Sequence, residues 1–280
     1  MRNRANLDPA TVAGFGEEWA AFDQAALGED ENRRLFEQYF SLLPLERLRD
    51  GEGFDLGCGS GRWALLVAPH VARLHCIDPS AKALDVCRRK LAGVENAEFH
   101  LAGAQDIPLP DASQDFGYSL GVLHHIPDTE AALKQCVAKL RPGAPFLLYL
   151  YYRFDNRPGW FRALWQISDL ARRAVARLPF RLRRAAAEII AASIYLPLAR
   201  LARTSQRLGA DVSNWPLSHY RDVSFYTMRT DALDRFGTRL EHRFSRVETE
   251  AMMRRCGLAD IRFAEEPPFW VAVGTKRGGS

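Results

Sequence analysis

The heptapeptide at residues 55–61, Asp-Leu-Gly-Cys-Gly-Ser-Gly, constrains the fold of this chain more than any other feature. Glycines at alternate positions let the backbone turn tightly and let a ligand lie against bare peptide. The apolar residues 54–57 predict a short strand before the turn, and a helical pattern begins near Arg62. Because the N-terminal N–H groups of a helix attract polar ligands, the sequence predicts a strand–turn–helix unit that binds a ligand at the turn.

Strand and helix patterns alternate from residue 51 to residue 152. Alternation with short connections is typical of a parallel sheet covered by helices on both faces. Two further strands, at 260–264 and 269–275, are separated by four residues that include Pro267 and Pro268, so we expect them to pair antiparallel. The predicted fold is α/β, a doubly wound, Rossmann-like, mostly parallel sheet with an antiparallel last strand. Its first five strands are expected at 54–57, 74–77, 98–101, 116–120 and 146–150.

The domain organisation follows from where this alternation is interrupted. Residues 1–50 show helical apolar spacing and predict an N-terminal helical cap. Residues 51–152 and 227–278 predict the core, and residues 153–226 predict a basic helical insertion after the fifth strand. Between residues 157 and 209 there are eleven arginines, no lysine and two acids, a net charge of +9 in a chain of +4. Charge confined to one region is not typical of a uniformly basic nucleic-acid binder.

The cysteines and the apolar stretches bear on localisation. The five cysteines are scattered without a C-x-x-C pair, which predicts neither a disulfide framework nor a metal site and indicates a reducing compartment. Residues 1–18 are polar and lack the apolar region of a secretion signal. The longest apolar stretch, 185–199, is shorter than the ~20 residues that a membrane span needs. We therefore expect a cytoplasmic protein.

The class of ligand follows from the glycines and from one acid. Asp78 ends the second predicted strand, where a carboxylate can accept both ribose hydroxyls of an adenosine. A dinucleotide loop has the pattern G-x-G-x-x-G, which would require glycine where Arg62 stands. The sequence therefore favours a nucleoside ligand over a dinucleotide, and it argues against a dinucleotide-dependent oxidoreductase.

Four segments resemble, in order and spacing, motifs of the class I S-adenosylmethionine-dependent methyltransferases. They are similar to the family's glycine loop, its adenine loop, its Leu-His-His segment after the fourth strand and a Leu-Lys-Pro-Gly-type turn. In this chain they lie at residues 55–61, 103–109, 119–128 and 140–143. The resemblance covers the segments 50–152 and 240–276. Gln114 replaces a residue that is usually aromatic in the family, and we expect this to affect packing only.

The resemblance implies S-adenosylmethionine as the cofactor. Asp78 would hold the ribose, residues 57–61 the methionine portion and residues 104–106 the adenine, while residues 119–122 would line the methyl donor. The family often has an acid where Gly103 stands, so adenine contacts are expected from this loop's neighbouring positions. The implied cofactor-binding residues are Asp55, Gly57, Cys58, Gly59, Asp78, Pro79, Ala104, Gln105, Asp106, Leu120 and Gly121.

The expected activity is methyl transfer to oxygen, carbon or nitrogen of a small-molecule acceptor. The segment after the fourth strand lacks the N/D-P-P-Y/F motif with which related methyltransferases bind an exocyclic base nitrogen, so a nucleic-acid acceptor is not expected. Alignment of the acceptor supplies most of the rate enhancement of such a transfer. The alternative is a non-catalytic module or partner subunit that binds the nucleoside. Such a module would be expected to show a broken glycine loop or to lack the ribose acid.

Candidate residues for catalysis and acceptor binding are few. His124 and His125 could act as a general base near the methyl donor, or they could cap and pack the next helix. Trp19 could belong to a lid over the donor, or to the apolar face of a helix. His242 stands beside an acid before a capped helix and could bind the acceptor or make ordinary surface contacts. Tyr226 is a further substrate-binding candidate.

The insertion allows two interpretations. One helix carries an apolar stripe of Ile167, Leu170, Ala171, Ala174, Val175 and Leu178, with Arg173 and Arg177 on another line. A second helix begins near Leu182, and Pro197 is expected to bend or end it. The insertion could be a helical cap or a contact between subunits of a homodimer. Alternatively, it could be a lid for an acidic or lipophilic acceptor whose arginines meet anionic groups or the inner face of a membrane.

Overall fold

The computed structural model describes residues 6–278, which form two compact units. The first, called here the sheet unit, contains residues 6–24, 34–153 and 240–278. The second, called the helical unit, contains residues 25–33 and 154–239. The helical unit therefore extends to Arg239, whereas the sequence placed the return to the core at residue 227.

The sheet unit is built on seven strands in the order β3-β2-β1-β4-β5-β7-β6. Strands β1 to β5 pair in parallel, and β7 is antiparallel to both β5 and β6. This confirms the predicted α/β fold with an antiparallel last strand. The strands are β1 (Glu52–Leu56), β2 (Arg73–Asp78), β3 (Ala97–Leu101), β4 (Phe116–Leu120), β5 (Pro145–Tyr149), β6 (Leu258–Phe263) and β7 (Val271–Lys276).

Ten α-helices occur within residues 6–278. They are α1 (Pro9–Ala21), α2 (Glu29–Phe40), α3 (Arg62–Val67), α4 (Ala81–Lys90), α5 (Thr129–Lys139), α6 (Gly159–Val175), α7 (Phe180–Ile190), α8 (Leu196–Arg207), α9 (Phe225–Gly237) and α10 (Arg246–Arg255). The capping box expected from the sequence is present at the start of α10, where the Ser245 and Glu248 side chains each accept from the other's backbone N–H.

Each face of the sheet has its own apolar core, because successive side chains of a strand point to opposite faces. Leu74 and Cys76 of β2 pack with Ala64 and Val67 of α3. On the other face Ile77 packs in a cluster that includes residues of α5 and α10. The parallel strands are therefore covered on both sides, and their carboxyl ends meet at one edge, where ligands bind in open α/β sheets.

In the helical unit, Pro197 does not end the helix that contains it. Residues Ala191–Tyr195 form a π-helical turn that joins α7 to α8. Proline lacks an N–H and clashes with the carbonyl four residues before it, and a wider turn relieves both problems. The result is a single helix, Phe180–Arg207, of 28 residues. Its most apolar 18-residue window has a mean hydropathy of 1.4 and is 28% buried. By length and composition alone the helix could cross a membrane, in contrast to the expectation from the apolar stretch 185–199.

Candidate active site

The glycine loop connects β1 to α3 and requires glycine at three positions. Gly57, Gly59 and Gly61 have φ values of +79°, +53° and +75°, which other residues rarely adopt. The loop is attached to the next strand, because the N–H groups of Gly57 and Cys58 both donate to the carbonyl of Ile77, at 2.7 and 3.2 Å. The carboxyl end of β2 is thereby placed directly beside the loop.

Asp78 lies at that end of β2. Its Oδ2 accepts from the N–H of Gly59 at 3.0 Å, and its Oδ1 accepts from the N–H of Ser80 at 2.8 Å. Burial raises the pKa of Asp78 to about 6, although these two backbone hydrogen bonds act in the opposite direction. A carboxylate has about four lone-pair sites, so Asp78 can accept further hydrogen bonds from a diol.

The predicted adenine loop follows β3 and lies beside Asp78. The N–H of Ala102 donates to the carbonyl of Asp78 at 3.2 Å. Asp106 uses its carboxylate within the loop, where Oδ1 accepts from the N–H of Gly103 at 2.8 Å. Ala104 is buried and Gln105 is exposed. Asp106 is exposed as well, but one oxygen of its carboxylate is already bonded within the loop.

Open space adjoins the glycine loop at the end of β4. Gly121 has a φ of +78°, and a Cβ atom added to it would meet no atom within 4 Å. Its N–H donates to the carbonyl of Tyr149 at 3.1 Å, which fixes the turn. The side chain of Val122 fills the space above Gly57. Leu120 is half-buried. Residues 120–122 therefore border a gap that a small group could enter.

Two of the implied cofactor residues direct their side chains into the protein. Asp55 is buried in the sheet between its register partners Cys76 and Tyr118, and burial raises the pKa of its carboxyl well above the usual value. The Cys58 thiol is also buried, and its pKa is raised by hydrogen bonding to the Cys76 and Cys87 thiols and by burial. For both residues only the backbone remains available to a ligand. Pro79 is half-exposed beside Asp78.

Helix α1 lies against the glycine loop, the start of α4 and the Leu-His-His turn. A Cβ atom on Gly59 would stand 2.9 Å from Nε1 of Trp19, and one on Gly16 would meet the Ser80 hydroxyl. The Phe15 ring lies 5.0 Å from the His125 ring between centroids. This position favours the lid interpretation of Trp19, since α1 contacts three segments that border the predicted cofactor site.

His242 comes together with His124 and His125 after β4, although it lies more than a hundred residues further along the sequence. The His242 N–H donates to the carbonyl of His124 at 2.9 Å. The His124 ring stacks on Tyr151 at 4.0 Å, and burial lowers the pKa of His124 well below its usual value. The Leu240 carbonyl can only accept, so His125 Nδ1, 2.7 Å away, carries the proton and Nε2 carries the lone pair.

Another residue caps the next helix, whereas both histidines are buried, as the alternative packing role requires. The Asp128 side chain accepts from the N–H of Ala131 at 2.9 Å and caps α5.

Beside the histidines lies a buried ion pair, in which Arg243 Nε donates to Glu241 at 2.6 Å. The guanidinium of Arg243 lies 5.3 Å from the Tyr151 ring centroid. The sequence did not predict Tyr151, whose only signal was its position just after the fifth strand. Tyr226 lies half-buried on α9 in the helical unit.

Comparison with known proteins gives the family. Residues 54–148 match the family described as a methyltransferase domain. This segment is a class I S-adenosylmethionine-dependent methyltransferase domain. The chain is 34% identical over 131 residues to the 27-O-demethylrifamycin SV methyltransferase of Amycolatopsis mediterranei, covering 45% of this chain and 47% of that protein. It is 30% identical over 159 residues to the ubiquinone biosynthesis O-methyltransferase of Methylocella silvestris, covering 50% and 62%.

The chain spans about half the length of the curated relatives it matches. A solved complex between the Haloferax volcanii Trm112 methyltransferase activator and a methyltransferase is similar in fold. Its TM-score is 0.58 at 16% identity, over 96% of this chain and 99% of that chain. At this identity the similarity concerns the fold alone.

The residues of the methyltransferase domain fit S-adenosylmethionine, the cofactor of its family. The three glycines leave bare backbone beside Asp78, and the indole of Trp19 lies so close to Gly59 that a side chain there would collide with it. The Asp78 carboxylate accepts hydrogen bonds from two backbone N–H groups, and one of them, that of Gly59, belongs to the glycine loop. The gap beside Gly121 borders the same loop through Val122. The Asp78 carboxylate fits the ribose, the glycine loop fits the methionine portion, and the gap leaves room for the methyl group.

Proposed function

We propose that this chain transfers a methyl group from S-adenosylmethionine to a small-molecule acceptor, with a hydroxyl oxygen favoured over nitrogen or carbon. The observation that carries the proposal is the intact ribose acid, Asp78, held against an intact glycine loop. A hydroxyl is favoured because the Leu240 carbonyl holds the Nδ1 proton of His125, which makes the buried Nε2 the basic atom of the ring. Relatives named O-methyltransferases agree with this choice.

The bound cofactor supplies a methyl group on a sulfonium, so the protein has to position the acceptor and manage one proton. Asp78 would hold the ribose and the glycine loop would hold the methionine portion. His125 accepts the hydroxyl proton at Nε2, and the Leu240 carbonyl stabilises the resulting imidazolium through Nδ1–H. Helix α1 excludes water from the loop by the contact of Trp19 with Gly59. Alignment at the gap beside Gly121 supplies most of the rate.

The experiment uses the full chain with methyl-labelled S-adenosylmethionine and a panel of phenols, carboxylic acids and amines. We expect label in at least one hydroxyl-bearing acceptor and in none when Asp78 is replaced by alanine. If the protein binds S-adenosylhomocysteine but labels nothing, it acts as a nucleoside-binding module and the catalytic proposal fails. The intact loop and ribose acid argue against that outcome.

We propose further that the helical unit binds an anionic membrane surface. Among residues 6–278, all exposed large apolar side chains except Leu101 and Val247 lie in this unit. On α6 the predicted apolar stripe faces solvent, with Ile167 and Leu170 exposed by 70% and 72%. An amphipathic helix with an exposed apolar face and flanking arginines has the composition of an interfacial helix.

The charges of the helical unit favour a membrane over a second copy of the chain. Arg162, Arg177 and Arg181 are exposed and, within the described residues, have no carboxylate partner. In a homodimer the same basic surface would face itself, whereas each arginine near anionic lipid contributes about 1 kcal/mol. The five cysteines are all free and buried, which agrees with action in the cytoplasm, at the inner face of the membrane. Co-sedimentation with anionic vesicles tests this proposal.

A further inference from the structure

Outside the methyltransferase site, three potential metal ligands meet on one face of the sheet. His75 of β2 and Glu98 of β3 are register partners, and His100 lies two residues further along β3 on the same face. No helix forms between β3 and β4, and the residues of β3 are only partly buried. This edge of the sheet can therefore hold polar groups that a covering helix would exclude. The three residues are called here the edge cluster.

The distances in the edge cluster are those of a metal site. His75 Nδ1 lies 3.0 Å from His100 Nε2 and 3.3 Å from Glu98 Oε2, and the last two atoms are 3.9 Å apart. Zinc–nitrogen and zinc–oxygen bonds of about 2.0–2.1 Å in a tetrahedron place neighbouring ligand atoms about 3.3–3.4 Å apart. An ion between the three atoms would thus require only small side-chain movements.

The surrounding side chains orient the ligands as in known zinc sites. Glu52 Oε1 lies 2.9 Å from His75 Nε2, so this nitrogen carries the proton and Nδ1 presents its lone pair. The buried Gln114 amide donates to the same Glu52 oxygen at 3.3 Å. Gln114 therefore does more than pack, in contrast to the expectation from the sequence. Glu98 pairs with Arg73 through Oε1, which leaves Oε2 directed at the histidines.

We propose that His75, Glu98 and His100 bind a zinc ion. Two imidazoles and one carboxylate form a common zinc ligand set, and a water molecule would complete the tetrahedron. Binding requires His100 to present the lone pair of Nε2 and carry its proton on Nδ1, a tautomer change that releases no net proton. The ion would join the edge strand β3 to β2. This inference is independent of the methyl-transfer proposal, because none of the three residues belongs to the cofactor site.

The test titrates Zn²⁺ into the full chain, freed of any polyhistidine tag and of bound metal, in competition with a chromophoric chelator. We expect one zinc per chain and a higher melting temperature in its presence. His100→Ala and Glu98→Gln should each lower the zinc affinity by more than about 100-fold. Glu52→Gln should lower it by about 10–100-fold, the usual effect of removing the partner of a ligating histidine. His70→Ala, at an exposed histidine outside the cluster, should change nothing.

Two results would overturn the proposal. One is an equal zinc affinity of the wild type and His100→Ala, provided that the two metal-free proteins have the same melting temperature. The other is tight binding that Glu98→Gln, His100→Ala and Glu52→Gln all leave unchanged, because the zinc would then lie elsewhere. Substitution by Co²⁺ gives a second readout, since visible absorption typical of four-coordinate cobalt should appear in the wild type and disappear in Glu98→Gln.

Discussion

At the scale of single residues, Asp78 combines a functional position with an unusual acidity. Its carboxylate is buried and its pKa is raised to about 6, yet it must be ionised to accept hydrogen bonds from both hydroxyls of a ribose. The protonated form loses part of that acceptor capacity. If Asp78 holds the ribose as proposed, binding of the nucleoside is coupled to release of a proton from Asp78.

We predict that the affinity for S-adenosylhomocysteine is constant above the pKa of Asp78 and falls as the pH drops through about 6. The expected slope is at most about tenfold per pH unit. Calorimetry at several pH values measures it. Asp78→Ala should bind about 1.5–3 kcal/mol more weakly at neutral pH and should lose the pH dependence. A slope that persists in the variant would assign the titration to another group.

Two glycines with positive φ allow a matched comparison. Gly59 and Gly93 have φ values of +53° and +88°, but only at Gly59 would a Cβ atom meet a neighbour, Nε1 of Trp19. Alanine at either position should cost about 1–2 kcal/mol of unfolding free energy because of the left-handed backbone. Only Gly59→Ala should also weaken S-adenosylhomocysteine binding, by about 1.4 kcal/mol or more, a factor of ten. Equal affinities of the two variants would show that a ligand does not lie against Gly59.

At the scale of elements, the position of α1 bears on two interpretations of the N-terminal segment. An apolar helix face requires only that α1 pack on the core, whereas a lid requires contact with the ligand site. The contacts of α1 with Gly59, Ser80 and His125 are all at the carboxyl ends of the strands. These contacts support the lid interpretation.

Trp19→Ala tests the lid directly. We expect faster dissociation of S-adenosylhomocysteine in stopped-flow measurements, because the indole covers the loop at Gly59. The residue is only partly exposed, so the lost apolar burial should also lower the melting temperature of the ligand-free protein. The packing interpretation predicts the lower melting temperature with an unchanged dissociation rate.

At the scale of the whole molecule, the two units differ in the side chains that they expose. The sheet unit carries the methyltransferase site, and the helical unit carries the exposed apolar side chains and the arginines. The structure also distinguishes arginines that the sequence could not. Arg172 and Arg173 both bind the Asp169 carboxylate, whereas Arg162, Arg177 and Arg181 have no acidic partner among the described residues.

Replacing Arg162, Arg177 and Arg181 by glutamine should therefore weaken binding to anionic vesicles, and the difference from the wild type should shrink at high salt. The matched control replaces Arg172 and Arg173, whose charges are already neutralised in part by Asp169, and should have a smaller effect. Vesicle co-sedimentation measures both, and S-adenosylhomocysteine affinity should be retained. A triple variant that changes only the sedimentation coefficient would identify the surface as a subunit contact.

The sequence by itself determined the features that depend on neighbouring residues. Strand β4 and the start of α3 were predicted at the residues where they occur, and the capping box and the antiparallel last strand are confirmed. Glycine spacing, cap residues and apolar periodicity act over a few positions, so they can be recognised without the fold.

Only the tertiary structure decided which distant side chains meet. His242 reaches His124 because the segment after α9 runs beside the end of β4. His75, Glu98 and His100 converge because parallel pairing of β2 with β3 sets their register, and no local pattern marks them. Tautomers and charges follow the same rule, since a carbonyl at His125 or a carboxylate at His75 comes from another part of the chain. Contacts across a sheet depend on register and burial, which are properties of the whole fold.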